Sequence, residues 1–303
     1  MTDASPRKRV TDAATVGAYR FGSLAARLMP GPVAAAAASS LGFSASFASP
    51  ARRQMIERHL RRANPKLRGA SLRVAAQQAF DSYARYYMES FRLPSLSKRT
   101  VDRYFTKEGY EHITDALEKG NGCIFALPHL GGWEWAGRWM TDQGHRLTVV
   151  VEALEPPELF EWFADLRAAL GMTVVPTGPG AGAAVLKALR ANEIVCLLCD
   201  RDIERNGVEV EFFGERTTLP AGPATLGLRV GAPVLPVAVY FRPDYNGHHA
   251  IVRPPLAANR TGDLRADVGR VTQSLANELE FLIRRAPEQW HLFQPNWPSD
   301  PGY

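Results

Sequence analysis

Cysteine is scarce in this 303-residue chain, which contains only Cys123, Cys196 and Cys199. An odd number of thiols, after a first segment with no compact apolar signal core, argues against a disulfide-stapled secreted domain. Cys196 and Cys199 have CxxC spacing, but they lie in an apolar run, residues 194–199, that predicts a buried strand. Residues three apart in a strand point to opposite faces, so we expect reduced thiols and no shared metal.

The sequence also lacks a strongly apolar membrane-spanning run. Residues 28–51 carry no charge and are long enough to cross a bilayer. However, alanine and serine dominate this segment, and Pro30 and Pro32 are expected to interrupt a helix. Arginines flank the segment on both sides. This composition favours an element that lies on a membrane surface and does not cross it.

Acidic residues are rare near the start of the chain. Residues 1–70 contain 12 Lys/Arg and 3 Asp/Glu, a net charge of +9, whereas the other 233 residues contain 24 and 28, a net charge of −4. Such an imbalance predicts an anionic partner, either lipid headgroups or nucleic acid, with a solvated helix face as the alternative. Few aromatic residues are interleaved with the arginines, which disfavours nucleic acid.

The order of apolar patterns predicts the fold class. Residues 51–64 and 72–91 have helical periodicity, so residues 1–100 are interpreted as a basic, helical, membrane-docking arm. From about residue 101 to residue 303, helical patterns alternate with short apolar runs. This alternation predicts an α/β domain with a mostly parallel central sheet flanked by helices, and the Asn246-Gly247 turn predicts a late antiparallel strand. We expect the arm and the α/β domain to form one continuous structural unit.

The strongest candidate for a catalytic group is His129, in the segment FALPHLGGWEWAG of residues 125–137. It follows a predicted buried strand, and catalytic groups concentrate at the carboxyl ends of strands in open α/β sheets. Two glycines then permit a tight bend before a helix that carries Glu134 in its first turn. A carboxylate that accepts from one imidazole nitrogen would make the other a better base. The alternative is a loop histidine without a catalytic role.

Five ordered sequence blocks resemble one family. They are the H-x4-E spacing of His129 and Glu134, the segment around Arg167, residues 200–214, residues 220–224 and residues 288–297. Together these blocks resemble the actinobacterial phosphatidylinositol mannoside acyltransferases, and the resemblance covers roughly residues 15–298. That family is related to the lipid A lauroyl and myristoyl acyltransferases.

The resemblance implies a particular reaction. A long-chain acyl group, palmitoyl, would move from acyl-CoA to the 6-hydroxyl of a mannose on a phosphatidylinositol mannoside. His129 would be the general base and Glu134 its support, and backbone amides of Gly131, Gly132 and Trp133 would be candidate donors to the oxyanion. Acyl-CoA would be a co-substrate, with no bound cofactor and no metal.

The resemblance also suggests where substrates bind. It gives candidate substrate-binding roles to Arg167, Asp200, Arg201, Asp202 and Glu204, the last being the weakest choice. Arg167 could instead hold an acidic residue in place, and an acid among residues 200–204 could instead support His129. The remaining alternative for each residue is an ordinary surface charge or loop ion pair. An apolar tunnel for the acyl chain is also expected, lined by aromatic residues that are equally compatible with a plain core: Trp133, Trp135, Trp139, Phe160, Trp162 and Phe163.

The expected location is the cytoplasmic face of the plasma (inner) membrane, to which the protein would bind peripherally through an anionic lipid surface. The sequence does not indicate an oligomeric state. Two alternatives remain open at this point. One is a lipid A-type or other lysophospholipid acyltransferase, and the other is a non-catalytic protein that binds lipid surfaces.

Overall fold

The computed structural model describes residues 6–303, with side chains from residue 11 onward. Arg7, Lys8 and Arg9, which contribute to the basic charge of residues 1–70, therefore lie outside the described side chains.

Four helices open the fold: α1 (Pro6–Leu28), α2 (Gly31–Ala48), α3 (Pro50–Ala63) and α4 (Gly69–Arg92). The proline-rich sequence separates α1 from α2, and Pro32 lies in the first turn of α2, where its missing N–H costs no intrahelical hydrogen bond. In the described part of the chain, no helix combines the length and apolarity needed to cross a membrane.

The remaining elements alternate as the sequence predicts. After a 3-10 turn at Leu93–Ser95, the elements in chain order are α5 (Lys98–Arg103), β1 (Phe105–Glu108), α6 (Glu111–Glu118), β2 (Cys123–Leu127), α7 (Trp133–Asp142), β3 (Leu147–Val151), α8 (Pro157–Ala168), β4 (Met172–Pro176), α9 (Ala181–Arg190), β5 (Ile194–Leu198), β6 (Val208–Phe212), β7 (Glu215–Leu219), α10 (Gly222–Val230), β8 (Val234–Phe241), β9 (His248–Val252) and α11 (Leu264–Arg284). A second 3-10 turn, Pro287–Gln289, leads into the C-terminal segment.

Seven strands form one sheet in the order β1-β9-β8-β2-β5-β3-β4, and β6 and β7 form a separate hairpin. Neighbouring strands of the large sheet are parallel except β8 and β9, which follow one another through the turn containing Asn246 and Gly247. The predicted fold class and the late antiparallel strand are confirmed. Between β2 and β5 the register pairs Leu127 with Leu198, the last residue of each strand.

A separate hydrophobic core lies on each face of the sheet. Ile124 and Ala126 of β2 pack with residues of α9 and α11 on one face. Phe125 and Leu127 point to the other face, where residues of α7 and α8 cover them. Cys196 packs on this second face and Cys199 belongs to the first core, so the predicted separation of the two thiols is confirmed. Both are free cysteines.

Candidate active site

His129 and Asp200 meet at the carboxyl edge of the sheet. Each lies two residues beyond the end of its strand, β2 or β5, and the parallel register places the two strand ends side by side. The His129 Nδ1 atom lies 2.7 Å from Asp200 Oδ1, and the backbone N–H of His129 donates to Asp200 Oδ2 at 3.0 Å. The carboxylate therefore fixes both the ring and the backbone of the histidine.

Asp200 is fully buried and fully hydrogen-bonded. Its Oδ2 also accepts from the indole N–H of Trp290 at 2.7 Å. Burial alone would raise the pKa of Asp200, but the neighbouring His129 and the hydrogen bonds from His129 and Trp290 hold it below its usual value. A carboxylate that accepts from Nδ1–H leaves Nε2 as the basic nitrogen. The side chain of His129 is 30% exposed, so this nitrogen can reach a substrate.

Glu134 has a different partner from the one predicted. Its Oε1 accepts from Nε and Nη2 of Arg167 at 2.9 and 2.5 Å, and from the Tyr86 hydroxyl at 3.3 Å. The predicted His129–Glu134 hydrogen bond is therefore corrected to a His129–Asp200 bond. The physical reason is that Glu134 is buried in the first turn of α7, where a carboxylate needs a cation, and α8 supplies Arg167.

The Glu134–Arg167 pair is buried between three helices, α4, α7 and α8. The side chains of Arg167 and Glu134 are 15% and 5% exposed. Burial lowers the pKa of Arg167, but the charge of Glu134 more than compensates, so the pKa is raised overall. Burial and the adjacent Glu134 raise the pKa of Tyr86 well above its usual value. Arg167 therefore stays charged and Tyr86 keeps its hydroxyl proton, as their hydrogen bonds to Glu134 require.

The other three predicted substrate-binding residues differ in location. Arg201 lines a cleft in front of His129 and has its Nη1 4.0 Å from Glu152 Oε2. Asp202 instead accepts from the backbone N–H of Gly207 and so holds its own loop. Glu204 is exposed and accepts from Asn206. Arg201 remains a candidate ligand for substrate, and the other two have local structural contacts.

Two of the three predicted oxyanion donors are already bonded. The Gly131 amide donates to the carbonyl of Gln289 at 2.9 Å, and the Gly132 amide donates to the carbonyl of Val239 at 3.2 Å. Gly131 also has φ of +61°, and a Cβ there would meet the Val239 carbonyl oxygen at 1.9 Å. Among the described residues, the Trp133 amide has no acceptor, so it is the one predicted donor that stays open.

A narrow apolar cavity of about 90 Å³ lies on the α7 face of the sheet. Its lining extends from Trp133 and Arg167, next to His129, to Phe105 and Tyr110 at the far end. Of the predicted aromatic residues, Trp133 and Trp139 line it, whereas Trp135 stacks on His248. Phe160 and Trp162 are not part of the lining, and Phe163 lines the adjoining cleft. Its lining is almost entirely apolar, as a site for a hydrocarbon chain requires.

A wider cleft of about 310 Å³ lies in front of His129 and shares Trp133 and Arg167 with the apolar cavity. Polar and aromatic side chains form its walls, including Tyr83, Tyr86, Tyr87, Glu152, Thr177, Arg201, His291 and Gln294. A narrow apolar space and a wider space lined by both polar and apolar side chains thus meet next to His129.

The C-terminal segment supplies site residues that the sequence analysis did not assign. Trp290 donates to the Asp200 carboxylate, and Asn296 Nδ2 donates to the Asp200 carbonyl at 3.0 Å. The backbone N–H of His291 donates to the His129 carbonyl at 2.7 Å. Tyr86, from α4, was likewise not assigned to the site. The family resemblance of residues 288–297 was the one feature of the sequence that indicated a role for this segment in the site.

An imidazole with an accessible basic nitrogen, an orienting buried carboxylate and an adjacent apolar cavity can support general-base catalysis on a substrate that carries an apolar chain. The comparison with known families agrees. The chain belongs to the bacterial lipid A biosynthesis acyltransferase family, whose model matches residues 1–299. The protein is therefore an acyltransferase.

Individual relatives are similar over most of their length. A phosphatidylinositol mannoside acyltransferase of Mycobacterium tuberculosis is 35% identical over 300 residues, 97% of this chain and 92% of the relative. One from Mycolicibacterium smegmatis is 37% identical over 222 residues, 72% and 71% of the two chains. A lipid A biosynthesis palmitoleoyltransferase of Escherichia coli is 25% identical over 195 residues, 63% and 60% of the two chains. The predicted family resemblance is confirmed.

Proposed function

We propose that the protein transfers a palmitoyl group from acyl-CoA to the 6-hydroxyl of a mannose on a phosphatidylinositol mannoside. The proposal rests most directly on one observation: His129, held by Asp200, stands where a narrow apolar cavity meets a wider cleft of mixed polar and apolar lining. The identity to mycobacterial phosphatidylinositol mannoside acyltransferases supports the choice of acceptor over a lipid A precursor.

In the proposed reaction, His129 Nε2 takes the proton of the mannose hydroxyl while its oxygen attacks the thioester carbon. The new C–O bond produces a tetrahedral intermediate with a negatively charged oxygen, to which the open Trp133 amide is a candidate donor. The C–S bond then breaks, and the departing thiolate takes the proton from the imidazolium. Asp200 stabilises the imidazolium between the two proton transfers.

The two spaces have complementary roles in this proposal. The acyl chain occupies the narrow cavity, whose lining is almost entirely apolar. The mannose headgroup and the thioester end of acyl-CoA occupy the wider cleft, where Arg201 is a candidate contact for a phosphate. The Glu134–Arg167 pair stands at the junction and holds α7 and α8 in place around the mouth of the cavity.

The proposed location is an anionic membrane surface on the cytoplasmic side. Support comes from α2, whose small residues pack inward while Val33, Leu41, Phe43 and Phe47 are 52–69% exposed. On α1, Phe21, Leu24 and Leu28 are 58–77% exposed. An exposed apolar patch of this kind marks an interaction surface, and the exposed arginines beside it, Arg20, Arg27 and Arg52, favour anionic lipid headgroups as the partner.

The decisive experiment is an acyl-transfer assay with labelled palmitoyl-CoA and three acceptors: mannosylated phosphatidylinositol, a lysophospholipid and a lipid A precursor. We expect label on the mannoside, and none from His129→Ala. Label on another acceptor would retain the chemistry and replace the proposed acceptor. If folded wild-type protein binds lipid vesicles but labels no acceptor, a non-catalytic lipid-binding role replaces the proposal.

A further inference from the structure

His291 has one ring nitrogen without a partner, deep in the wall of the cleft. The residue is 6% exposed, and its Nδ1 is buried with no hydrogen bond to any residue that the structure describes. The other nitrogen, Nε2, lies 2.9 Å from Ser82 Oγ. Buried polar atoms in proteins are nearly always hydrogen-bonded, so this nitrogen requires a partner that the described chain does not supply.

His291 stands directly beside the catalytic base. Its backbone N–H donates to the carbonyl of His129 at 2.7 Å, which couples the two residues through the main chain. Both imidazoles pack on Trp133, with ring-centroid distances of 6.1 Å from His129 and 5.8 Å from His291. Both side chains line the same cleft. A group that reacts at His129 is therefore close to His291.

Hydrogen-bond counting identifies the proton on His291. If Ser82 Oγ–H donates to Nε2, the neutral ring carries its proton on Nδ1, and one buried group, Nδ1–H, is left without a partner. If Nε2–H donated to Ser82 instead, both Nδ1 and the serine proton would lack partners in the described structure. The first arrangement costs less. Burial and the nearby His129 lower the pKa of His291 to about 3, so the ring stays neutral.

We propose that Nδ1–H of His291 donates a hydrogen bond to an oxygen of the reacting substrates. The inference rests on the proposed acyl transfer. The negatively charged oxygen of the tetrahedral intermediate is the acceptor that gains most from such a donor, and the open amide of Trp133 would be a second donor to it. The alternative acceptor of this hydrogen bond is a hydroxyl oxygen of the mannose.

Two substitutions separate the two nitrogens of His291. In His291→Asn, the side-chain amide nitrogen replaces Nδ1, and nothing replaces Nε2. In His291→Gln, the amide nitrogen replaces Nε2 near Ser82, and nothing replaces Nδ1. His291→Phe removes both at similar volume. We expect kcat/KM for transfer from palmitoyl-CoA to mannosylated phosphatidylinositol to fall about 10²- to 10³-fold in His291→Phe and His291→Gln. His291→Asn is expected to retain activity within about tenfold of wild type.

The kinetic constants distinguish the two oxygens. A loss confined to kcat identifies the charged oxygen of the intermediate, and a rise in KM for the mannoside identifies a sugar hydroxyl. His249→Asn, on β9 outside the cleft, is the matched control, and thermal unfolding verifies that each variant is folded.

Activity kept by His291→Gln and lost by His291→Asn would overturn the inference, because the role of His291 would then be its hydrogen bond with Ser82. Normal kinetics of His291→Phe would also overturn it. Inactivity of wild type towards every acceptor would instead refute the proposed function.

Discussion

Asp200 is the residue that fixes the ring and the backbone of His129. Asp200→Asn preserves the shape but replaces an acceptor with a group that can donate, so the imidazole loses its fixed tautomer. We expect kcat to fall about 10³- to 10⁴-fold, with palmitoyl-CoA binding little changed. Steady-state kinetics and calorimetry test this. Normal turnover by Asp200→Asn would show that another group orients His129.

Glu134 is expected to act mainly through Arg167. Glu134→Gln leaves a buried guanidinium without its counter-charge, which costs about 3–5 kcal/mol of the free energy of unfolding. The double variant Glu134→Gln/Arg167→Met removes both charges and should recover part of that loss. Urea unfolding of both variants measures this difference. A fully stable Glu134→Gln whose kcat falls as far as that of Asp200→Asn would restore Glu134 as the support of His129.

At the residue scale, the sequence predicted which groups matter better than it predicted their partners. His129 was identifiable because it follows a buried strand and precedes two glycines. Asp200 was recognised as a polar residue after another strand, but its contact with His129 depends on β2 and β5 being neighbours. Strand order is a long-range property that no local pattern encodes. Glu134 was the nearer acid in sequence and was therefore chosen.

Helix α7 forms one wall of the apolar cavity, and Gly137 is the position where that wall has no side chain. A Cβ at this position would meet the Cε of Met172 at 2.5 Å, a flexible contact that can move. Gly137→Val should therefore fold and add two methyl groups next to the cavity. We expect transfer of a 16-carbon chain to fall about tenfold or more relative to a 10-carbon chain.

The measurement is kcat/KM for a series of acyl-CoA lengths. Gly269→Val on α11 is the matched control, since a Cβ there meets nothing within 4 Å. An unchanged length preference in folded Gly137→Val would show that the acyl chain lies elsewhere.

Helix α2 buries its small residues and exposes its large apolar ones. Ala34, Ala38, Gly42 and Ser46 form its buried face, and a Cβ on Gly42 would meet the Cα of Asp81 in α4 at 2.7 Å. The close approach of α2 to α4 leaves the large side chains outside. We expect Phe43→Ser/Phe47→Ser to weaken binding to anionic phosphatidylinositol vesicles about tenfold or more, because two phenyl rings no longer enter the interface.

Vesicle co-sedimentation tests this, with zwitterionic vesicles showing the part contributed by charge. Phe281→Ser is the control, because Phe281 is 44% exposed on α11 and packs against arginines. The prediction is wrong if the double variant binds vesicles as well as the wild type does. If, in addition, the wild type is a dimer and the double variant is a monomer, the exposed face of α2 is a self-association surface.

Most element bounds were accessible from sequence because they depend on local apolar periodicity. The helical patterns of residues 51–64 and 72–91 lie within three residues of the bounds of α3 and α4, and the strand predicted from residue 194 begins where β5 begins. Strands β1 (FTKE) and β7 (ERTTL) were missed, because polar residues dominate both and neither contains an apolar run. Their pairing partners, β9 and β6, define them instead. Edge strands of this kind are set by tertiary contacts.

Across the whole molecule, the N-terminal helices and the site form one connected structure. Tyr19 of α1 packs on Phe163, which lines the cleft, with ring centroids 5.6 Å apart. Ser82 and Tyr86 of α4 contact His291 and Glu134. The helices proposed to bind the membrane therefore also form a wall of the cleft. A lipid acceptor bound at that surface would be close to the cleft without leaving the membrane.

The C-terminal segment closes the site from the opposite end of the chain, and Asp300 anchors it. This buried carboxylate accepts from Arg62 at 2.7 Å and from the backbone N–H of Asn296 at 3.0 Å, and His59 Nε2 lies 3.2 Å away. Burial alone would raise the pKa of Asp300, but these hydrogen bonds lower it well below its usual value. Asn296 in turn donates to the Asp200 carbonyl. Stability of the segment and geometry of the site are thus linked.

We expect Asp300→Asn to lose about 2 kcal/mol of unfolding free energy at pH 7. Because the native carboxyl has a depressed pKa, its contribution is fully present above the unfolded value of about 4 and is lost as the pH falls below it. The difference between wild type and Asp300→Asn should therefore be constant from pH 7 to about 5 and shrink towards pH 3. Asp244→Asn, which removes an exposed ion pair with Arg242, should cost less than about 0.5 kcal/mol throughout. Urea unfolding across this range tests the link, and a difference that stays constant down to pH 3 would show that the charge of Asp300 does not stabilise the segment.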